Sequence, residues 1–316
     1  MTCIAVFSTI AGIGKTTLVY HLGHMLADLG KRVLLVDCDP QASLTSLCLP
    51  EERIEALWQG DADRRTTIAR FQDEPLHVEA LRLNLALVPG DPAFAAQEDE
   101  LAIAWAEAEE EDLSETTRAG FLSLSIIWAA RYDASDIVLL DLGPSLGAIN
   151  RAIIGAADFL LTPLAPSLQA MTGLQTLGPT LRDWRKQWQA IQAKKPDVFP
   201  RFILQPLGYV VTQTGMRLTH PVPSYARWLA RIPGAYRQAL WHGDGHPSGP
   251  ASDPECQGVM HHHSGLMPLA LDARKPMFDL RPADGAIGSH MDSVQRCRED
   301  YERLAQQILA RTASPP

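Results

Sequence analysis

The sequence predicts an α/β fold, a doubly wound and mostly parallel sheet with helices on both faces. The first supporting observation is that the opening 40 residues alternate between an apolar run, a glycine loop, a helical pattern and a second apolar run. A strand, a helix and a second strand in this order imply parallel pairing through a right-handed crossover. The second observation is that apolar runs recur later, most of them separated by helical segments, at Leu85–Val88, Ile137–Leu142, Phe159–Leu164 and Leu207–Thr212.

The first strand–helix–strand unit is the best defined. Ile4–Phe7 is short and apolar, and Val33–Val36 is a continuous apolar run, as expected for strands covered on both faces. Between them, Lys15–Leu29 carries apolar residues at helical spacing, and Gly30 follows as a helix stop. The loop before this helix therefore lies at the carboxyl edge of the predicted sheet, where open α/β sheets bind ligands.

The rest of the chain is expected to complete a single domain over residues 1–316. Further helical patterns occupy Ala119–Arg131, Leu146–Ala156, Ser167–Lys194 and Asp292–Arg311. The last of these has an apolar face, which predicts docking on the core rather than on a membrane. Residues 241–259 are rich in Gly, Pro, His and Asp and are predicted to form a long loop, within a stretch around 215–275 that we interpret as an insertion.

Composition indicates a globular protein with a substantial core, because 46% of the residues are hydrophobic and 21% are charged. The net charge of −9 argues against a uniformly basic nucleic-acid binder, but it leaves room for a local basic face. Five cysteines without a CxxC pair predict free thiols in a reducing compartment. No secretory leader is evident, and no run approaches roughly 18 apolar residues, so we expect a cytoplasmic protein without a membrane span.

A glycine loop with a lysine follows the first strand and opens the first helix. Glycines let the backbone approach a phosphate chain, and the N–H groups at a helix start offer positive potential. We expect Lys15 to reach the β- and γ-phosphates of a nucleotide and the Thr16 hydroxyl to coordinate Mg²⁺. Thr9 stands where the standard phosphate-loop pattern has its first glycine, so the loop is not a standard one. The predicted nucleotide contacts are Ala11, Gly12, Ile13, Gly14, Lys15, Thr16 and Thr17.

Acidic residues end two of the predicted parallel strands. Asp37 and Asp39 follow the second strand, and Asp141 lies at the end of the apolar run Ile137–Leu142. The carboxyl ends of parallel strands share one edge of the sheet, so these acids should face the glycine loop. One aspartate at a strand end is often a simple turn former, but the loop and both acidic segments in this order indicate a Mg²⁺–nucleotide site.

With these segments the chain resembles the ParA/MinD superfamily of deviant Walker ATPases, and more closely its ParA partition branch. The resemblance covers residues 1 to about 215 and continues more loosely to the last helix. The matching stretches are Gly12–Thr17, Asp37–Ser43, Leu87–Asp91, Leu140–Ser145, Ala156–Asp158, Leu161–Leu164 and Gly173-Leu174, with a looser match at Arg281–Ala286.

The resemblance implies an ATP-binding protein that pairs as a homodimer, binds DNA non-specifically and hydrolyses ATP slowly under stimulation by a ParB-like partner. It implies that Lys15 and Thr16 hold phosphate and Mg²⁺, and that Asp39 places the hydrolytic water. By the same resemblance, Asp141 is the Walker B acid, which holds Mg²⁺ through water. Pro282 is implied to flank the adenine.

One departure from that family bears on catalysis. The family's loop carries a second, signature lysine at the position held here by Ile10, followed by Gly-Gly where this chain has Ala11-Gly12. Isoleucine offers no charge to a phosphate, and losing one such contact costs about 2–4 kcal/mol, about a hundredfold or more in rate. Two alternatives stay open: a degenerate phosphate-loop module with little turnover, and a metabolic enzyme of the same superfamily.

Weaker patterns have a structural and a functional interpretation. A basic side on the long helix, with Trp184 and Trp188 interleaved, is either a DNA-facing patch or a solvated face with inward tryptophans, and we favour the latter. Its basic residues are Arg182, Arg185, Lys186, Lys194 and Lys195, and Arg217, Arg227, Arg231 and Arg237 raise the same question. A zinc site is disfavoured because no closed zinc spacing relates His242, His246, Cys256, His261, His262 and His263.

Overall fold

One sheet of eight strands organises the protein, whose computed structural model describes residues 1–59, 68, 76, 78–110, 134–155, 157–194, 202–214, 216–217, 220–221, 223–241, 249–263 and 265–313. Its strands are β1 (Thr2–Val6), β2 (Val33–Asp37), β3 (Glu79–Arg82), β4 (Leu85–Val88), β5 (Ile137–Asp141), β6 (Phe159–Leu164), β7 (Gln205–Thr214) and β10 (Cys256–His261). A separate two-stranded ribbon contains β8 (Met216–Arg217) and β9 (His220–Pro221). The order across the sheet is β10-β7-β6-β1-β5-β2-β4-β3, and every pairing is parallel except β3 with β4.

Helices cover both faces of this sheet. They are α1 (Lys15–Asp28), α2 (Ser43–Cys48), α3 (Glu51–Gln59), α4 (Gln97–Glu110), α5 (Ala148–Ile154), α6 (Leu168–Lys194), α7 (Pro223–Leu229), α8 (Ile232–Tyr236), α9 (Met267–Ala273) and α10 (Ser289–Thr312). Alternate residues of β1 enter opposite cores, as strand geometry requires. Cys3 and Ala5 pack with residues of α4, α5 and α6, whereas Ile4 and Val6 pack with residues of α1, α9 and α10. The predicted doubly wound α/β class is confirmed.

The predicted elements agree closely with the observed ones wherever apolar periodicity was clear. The first helix, the strands β2, β4, β5 and β6, and the long helix α6 all begin and end within two residues of their predicted bounds. The last helix is longer than predicted, because it begins at Ser289 rather than Asp292. The predicted helix Ala119–Arg131 lies outside the described residues.

The prediction of a loop through residue 259 was wrong at its end. Cys256–His261 forms β10, an edge strand that pairs in parallel with β7. An edge strand is hydrogen-bonded on one side only and needs little apolar sequence, so its pattern was hidden by the Gly, Pro and His residues around it. This part of the stretch interpreted as an insertion therefore belongs to the main sheet.

The core beneath α6 is built from aromatic rings. Trp188 is fully buried, with its ring centroid 5.4 Å from that of Trp105 and 5.7 Å from that of Phe202. Gly155 lies directly against this ring, since a Cβ added there would stand 1.8 Å from Trp188 Cη2. The close approach of backbone to indole explains why a glycine ends α5.

None of the helices in the described ranges is both long enough and apolar enough to cross a lipid bilayer.

Candidate functional site

The glycine loop joins the end of β1 to the start of α1, as predicted. Gly12 has φ 69° and Gly14 has φ 90°, both in the left-handed region that favours glycine. A Cβ at either position would meet no atom within 4 Å, so the requirement for glycine here is conformational rather than steric. The chain thus turns sharply at two points before the helix begins at Lys15, which leaves the first N–H groups of α1 at the loop.

Lys15 folds back over this loop. Its side-chain Nζ donates a hydrogen bond to the Ile10 carbonyl oxygen at 3.0 Å, and the residue is only 7% exposed. Burial lowers the pKa of Lys15, while the charges of Asp141 and Asp39 act in the opposite direction. The loop therefore holds an amine beside two carboxylates.

Asp37 and Asp141 end the neighbouring strands β2 and β5 in register, and both are fully buried. Burial raises the pKa of both carboxyl groups, and the nearby Asp37 raises that of Asp141 further. Asp37 is well satisfied, because its Oδ2 accepts from Thr45 N at 2.8 Å and from Thr45 Oγ1 at 2.7 Å. Neither oxygen of Asp141 has a partner at full hydrogen-bonding geometry, although the Thr16 hydroxyl lies near enough to lower its pKa.

The two carboxylates consequently differ in role. Asp37 is hydrogen-bonded to Thr45 in the first turn of α2, and the Thr45 hydroxyl oxygen in turn accepts the Gly90 N–H at 2.7 Å. Gly90 has no space for a side chain, since a Cβ there would lie 2.7 Å from Asp37 Cγ. Asp141 has unused acceptor capacity next to Lys15 and Thr16, as a carboxylate must have to bind the water shell of a cation.

Asp39 lies at the same edge of the sheet. Its Oδ1 accepts from Gln41 N at 3.0 Å, and it packs against Gly143, where an added Cβ would lie 3.2 Å from that oxygen. The structure therefore brings Asp39 to the segment that follows Asp141. The predicted roles of Lys15, Thr16, Asp39 and Asp141 stay predictions, but these residues do converge on one place.

A cavity of about 300 Å³ adjoins the glycine loop. Thr212, near the end of β7, borders it and donates from Oγ1 to the Ile13 carbonyl oxygen at 2.9 Å. The lining residues are Gly12, Ile13, Gly14, Thr17, Leu18, Thr212, Met260, His261, His262, His263, Met267, Met277 and Tyr301. Pro282, predicted to flank an adenine, is not among them and is exposed at the start of a short 3₁₀ helix.

His21 ties the first helix to the C-terminal part of the chain. Its Nδ1 lies 2.7 Å from the Thr17 carbonyl oxygen, and its Nε2 accepts the Met277 N–H at 3.0 Å. The imidazole is therefore neutral, with its proton on Nδ1, and it stacks on Tyr301 at a centroid distance of 5.1 Å. Burial lowers the pKa of His21 to about 4. Sequence inspection missed this residue because nothing local distinguishes it from any other histidine on a helix.

Ile10 and Thr9 face the first turns of α6. A Cβ at Gly173 would lie 2.5 Å from Thr9 Oγ1 and 3.5 Å from Ile10 Cδ1. The isoleucine side chain is half-buried against this helix.

Two of the basic residues of α6 make structural contacts, and Lys195 lies outside the described residues. Trp184 and Trp188 are buried, as the structural interpretation predicted. Arg182 donates to the Ala239 carbonyl oxygen, and Arg185 donates to the Leu204 carbonyl oxygen. Farther along the chain, two exposed arginines lie over the Trp228 ring at 4.9 and 5.3 Å, namely Arg227 and Arg231. DNA binding by either surface stays a prediction.

The histidines weighed as zinc ligands separate into two groups. His242 and His246 lie outside the described residues. His261 and His263 converge on Asp300 of α10, a residue that no sequence pattern singled out. Burial alone would raise the pKa of Asp300, but hydrogen bonds with the two histidines outweigh it and lower that pKa.

A glycine loop that opens the first helix, with a buried aspartate at the end of an adjacent parallel strand, defines a doubly wound phosphate-loop NTPase fold. The chain belongs to the AAA domain family AAA_31, whose model matches residues 1–193. Relatives named for chromosome partitioning are similar to part of this chain.

Those relatives match the chain over part of their length. The chromosome partitioning protein ParA of Caulobacter vibrioides is 30% identical over 181 residues, which are 56% of this chain and 61% of the relative. The chromosome-partitioning ATPase Soj of Thermus thermophilus is 31% identical over 183 residues, which are 58% of this chain and 62% of the relative. The chain thus spans less than two thirds of the length of either protein.

Solved structures agree with this fold. An ATP complex of the McdA protein of Cyanothece has a TM-score of 0.64 and 19% identity, with 99% of this chain and 96% of that chain covered. Cobyrinic acid a,c-diamide synthase of Mycobacterium smegmatis, with bound ADP and magnesium, has a TM-score of 0.53 and 25% identity, with 74% and 82% covered.

Proposed function

We propose that this protein is a ParA-like, Mg²⁺-dependent ATPase that dimerises with bound nucleotide and acts in partitioning or positioning DNA or another cargo. The observation that carries the proposal is the convergence of Lys15 and the unpaired Asp141 carboxylate on a glycine loop at the carboxyl edge of the sheet. The relatives named for chromosome partitioning, and the neighbours that hold ATP or ADP with magnesium, support it.

The residues present fit Mg²⁺ and a triphosphate. Backbone N–H groups of the loop and the Lys15 amine would hold the phosphates, and the Thr16 hydroxyl would coordinate the metal. Asp141 would accept hydrogen bonds from metal-bound water, which would satisfy the two oxygens that lack partners. When bound, Mg²⁺ neutralises charge that develops on the phosphate oxygens. Asp39 would orient the attacking water, because its carboxylate lies at the same edge of the sheet.

A second candidate function is a nucleotide-binding module with little turnover. Ile10 favours it, because this side chain packs toward α6 and offers no charge where the related proteins are expected to have a lysine. In this case the nucleotide would act as a structural or sensory ligand. Lys15 would still support nucleotide binding, because its hydrogen bond to Ile10 is made to the backbone carbonyl and not to the isoleucine side chain.

Phosphate release and calorimetric binding of Mg-ATP test the proposal on four proteins: wild type, Lys15→Ala, Ile10→Lys and the control Lys186→Ala on the exposed side of α6. The proposed ATPase requires turnover in wild type, loss of binding and turnover in Lys15→Ala, and no change in Lys186→Ala. Turnover that appears only in Ile10→Lys, with wild-type binding intact, supports the module instead. No heat of Mg-ATP binding to wild type would refute both functions.

Dimerisation and DNA binding need separate measurements. The mass in solution should double on addition of ATP and Mg²⁺ if nucleotide drives pairing. Non-specific duplex should be bound in the ATP state with an affinity that falls as salt rises, because contacts to phosphates release counterions. An unchanged mass, or an absence of binding to duplex in both states, would remove the corresponding part of the proposal.

A further inference from the structure

Two histidines on the wall of the cavity that adjoins the glycine loop meet a buried aspartate behind them. His261 ends β10, His263 follows two residues later, and Asp300 projects from α10. One ligand atom from each residue lies within 4.8 Å of the others. Among the residues that the structure describes, these three are the His, Cys, Asp or Glu side chains that come together closely enough to share a metal ion. These residues are separate from Thr16 and Asp141, to which the Mg²⁺ of the proposed ATPase is assigned.

The contacts converge on one carboxylate oxygen. Asp300 Oδ2 lies 2.7 Å from His261 Nδ1 and 3.3 Å from His263 Nε2, and the His261 backbone N–H also donates to it at 3.3 Å. The other oxygen, Oδ1, accepts from Arg303. Because Asp300 is only 3% exposed and is held from both sides, its carboxylate has a fixed position toward which the two imidazoles point.

We propose that His261, His263 and Asp300 bind a divalent transition metal of the zinc type, through Nδ1, Nε2 and Oδ2 respectively. Imidazole nitrogens and a carboxylate oxygen are ligands that Zn²⁺ takes in sites with three protein ligands. Such a site leaves a fourth position for water or for a ligand that enters the cavity. The Arg303 contact to the remote oxygen orients the carboxylate, as partners of ligating groups do in metal sites.

The observed separations require little adjustment. Bonds of about 2.0–2.1 Å in a tetrahedral site place the ligand atoms about 3.3 Å apart. The separation of Asp300 from His263 already has this value, and that from His261 is 2.7 Å. The two imidazole nitrogens lie within 4.8 Å, so they would close by no more than about 1.5 Å. His261 has room for this movement, because its side chain is 40% exposed.

The test is zinc titration of the full chain, freed of nucleotide and metal, without a histidine tag and with excess Mg²⁺ present. Calorimetry compares wild type with His261→Gln, His263→Gln and Asp300→Asn. The matched control is His262→Gln, since His262 stands between the two ligands and lines the same cavity. Thermal melting of each protein shows whether it is folded. If the buried Asp300→Asn variant unfolds, the zinc affinity of His261→Gln is sufficient to test the proposed site.

We expect one Zn²⁺ per chain, an affinity at least about tenfold weaker in each ligand variant, and no change in His262→Gln. Co²⁺ in place of Zn²⁺ should give the visible absorption of a tetrahedral nitrogen and oxygen site. The proposal is overturned by an absence of saturable one-to-one binding, by wild-type affinity in His261→Gln, or by a strong Co²⁺–thiolate band that assigns the metal to cysteine. None of these results depends on nucleotide binding, so failure of the proposed zinc site and failure of the proposed ATPase would be distinguishable.

Discussion

Replacing Asp141 by asparagine is expected to stabilise the nucleotide-free protein and to remove most of its response to Mg-ATP. The carboxyl group is fully buried beside Asp37, and neither of its oxygens has a hydrogen-bond partner at full geometry. A buried polar group in this condition costs about 1–3 kcal/mol, and more when it is charged. Asparagine keeps the size of the side chain but removes its charge. The burial of that charge and its repulsion with Asp37 and Asp39 outweigh the attraction of Thr16 and Lys15, so its removal should be favourable.

The expected size of the effect follows from that cost. A gain of about 1–3 kcal/mol corresponds to a rise of about 1.5–4.5 °C in Tm for a protein of this size. In wild type, Mg-ATP at about 100 times its Kd should add about 2.7 kcal/mol through mass action. The variant should lose most of this second gain, because an amide is neutral and offers metal-bound water one acceptor oxygen in place of two.

Thermal melting with and without Mg-ATP measures both effects. The matched control is Asp136→Asn, at the other end of β5, where the carboxylate is 40% exposed and pairs with Arg32 at 2.9 Å. The carboxylate of Asp136 also accepts the Arg32 N–H at 2.9 Å, and asparagine keeps an oxygen for that bond. Because an exposed ion pair contributes about 0–1 kcal/mol, the control should melt close to wild type and respond normally to Mg-ATP. A lower Tm for Asp141→Asn than for wild type without nucleotide would refute the account of Asp141 as an uncompensated carboxylate. A full Mg-ATP shift in the variant would refute its assignment to the metal.

Two further predictions concern stability. Burial lowers the pKa of His21 to about 4 and that of His24 to about 3. Below pH 6.5 the unfolded chain therefore takes up protons that the folded chain does not, and the folded state loses stability. The loss is about 1.4 kcal/mol per pH unit for each histidine and continues until the pH reaches the pKa in the folded state. Buried carboxyl groups change the stability with pH in the opposite direction, so the contribution of the histidines is measured as a difference between two proteins. The free energy of urea unfolding is compared between wild type and a His21→Gln/His24→Gln double variant at pH 7 and at pH 4.5. A difference that does not change with pH would contradict the prediction. Gly155→Ala should destabilise by about 1–3 kcal/mol, because its Cβ would stand 1.8 Å from a buried indole carbon, whereas Gly234→Ala, with no atom within 4 Å of the added Cβ, should be neutral or stabilising. Equal denaturation midpoints for these two glycine variants would show that the core under α6 adapts more easily than the structure indicates.

The fold class and the outline of the nucleotide site follow from local sequence. Apolar runs at Val33–Val36 and Ile137–Leu142 mark strands, and the residues at their ends meet at one edge of a parallel sheet whatever the rest of the chain does. Gly12 and Gly14 predict a tight loop because few other residues adopt its left-handed backbone. The edge strand β10 was missed because Gly, Pro and His residues hide its local pattern. His21 and Asp300 were missed because their partners lie far away in the sequence.

Asp37 and Asp141 show what the sequence by itself determined and what only the tertiary structure decided. Both end apolar strands, and nothing local distinguishes one acid from the other. Thr45 hydrogen-bonds Asp37 from the next helix, so Asp37 is structural and Asp141 keeps its acceptors free. In the same way, the pairing of His261 with Asp300 across 39 residues exists only once α10 packs on β10. Backbone conformation depends mainly on neighbouring residues, whereas the partners of a buried polar group depend on which elements the fold brings together.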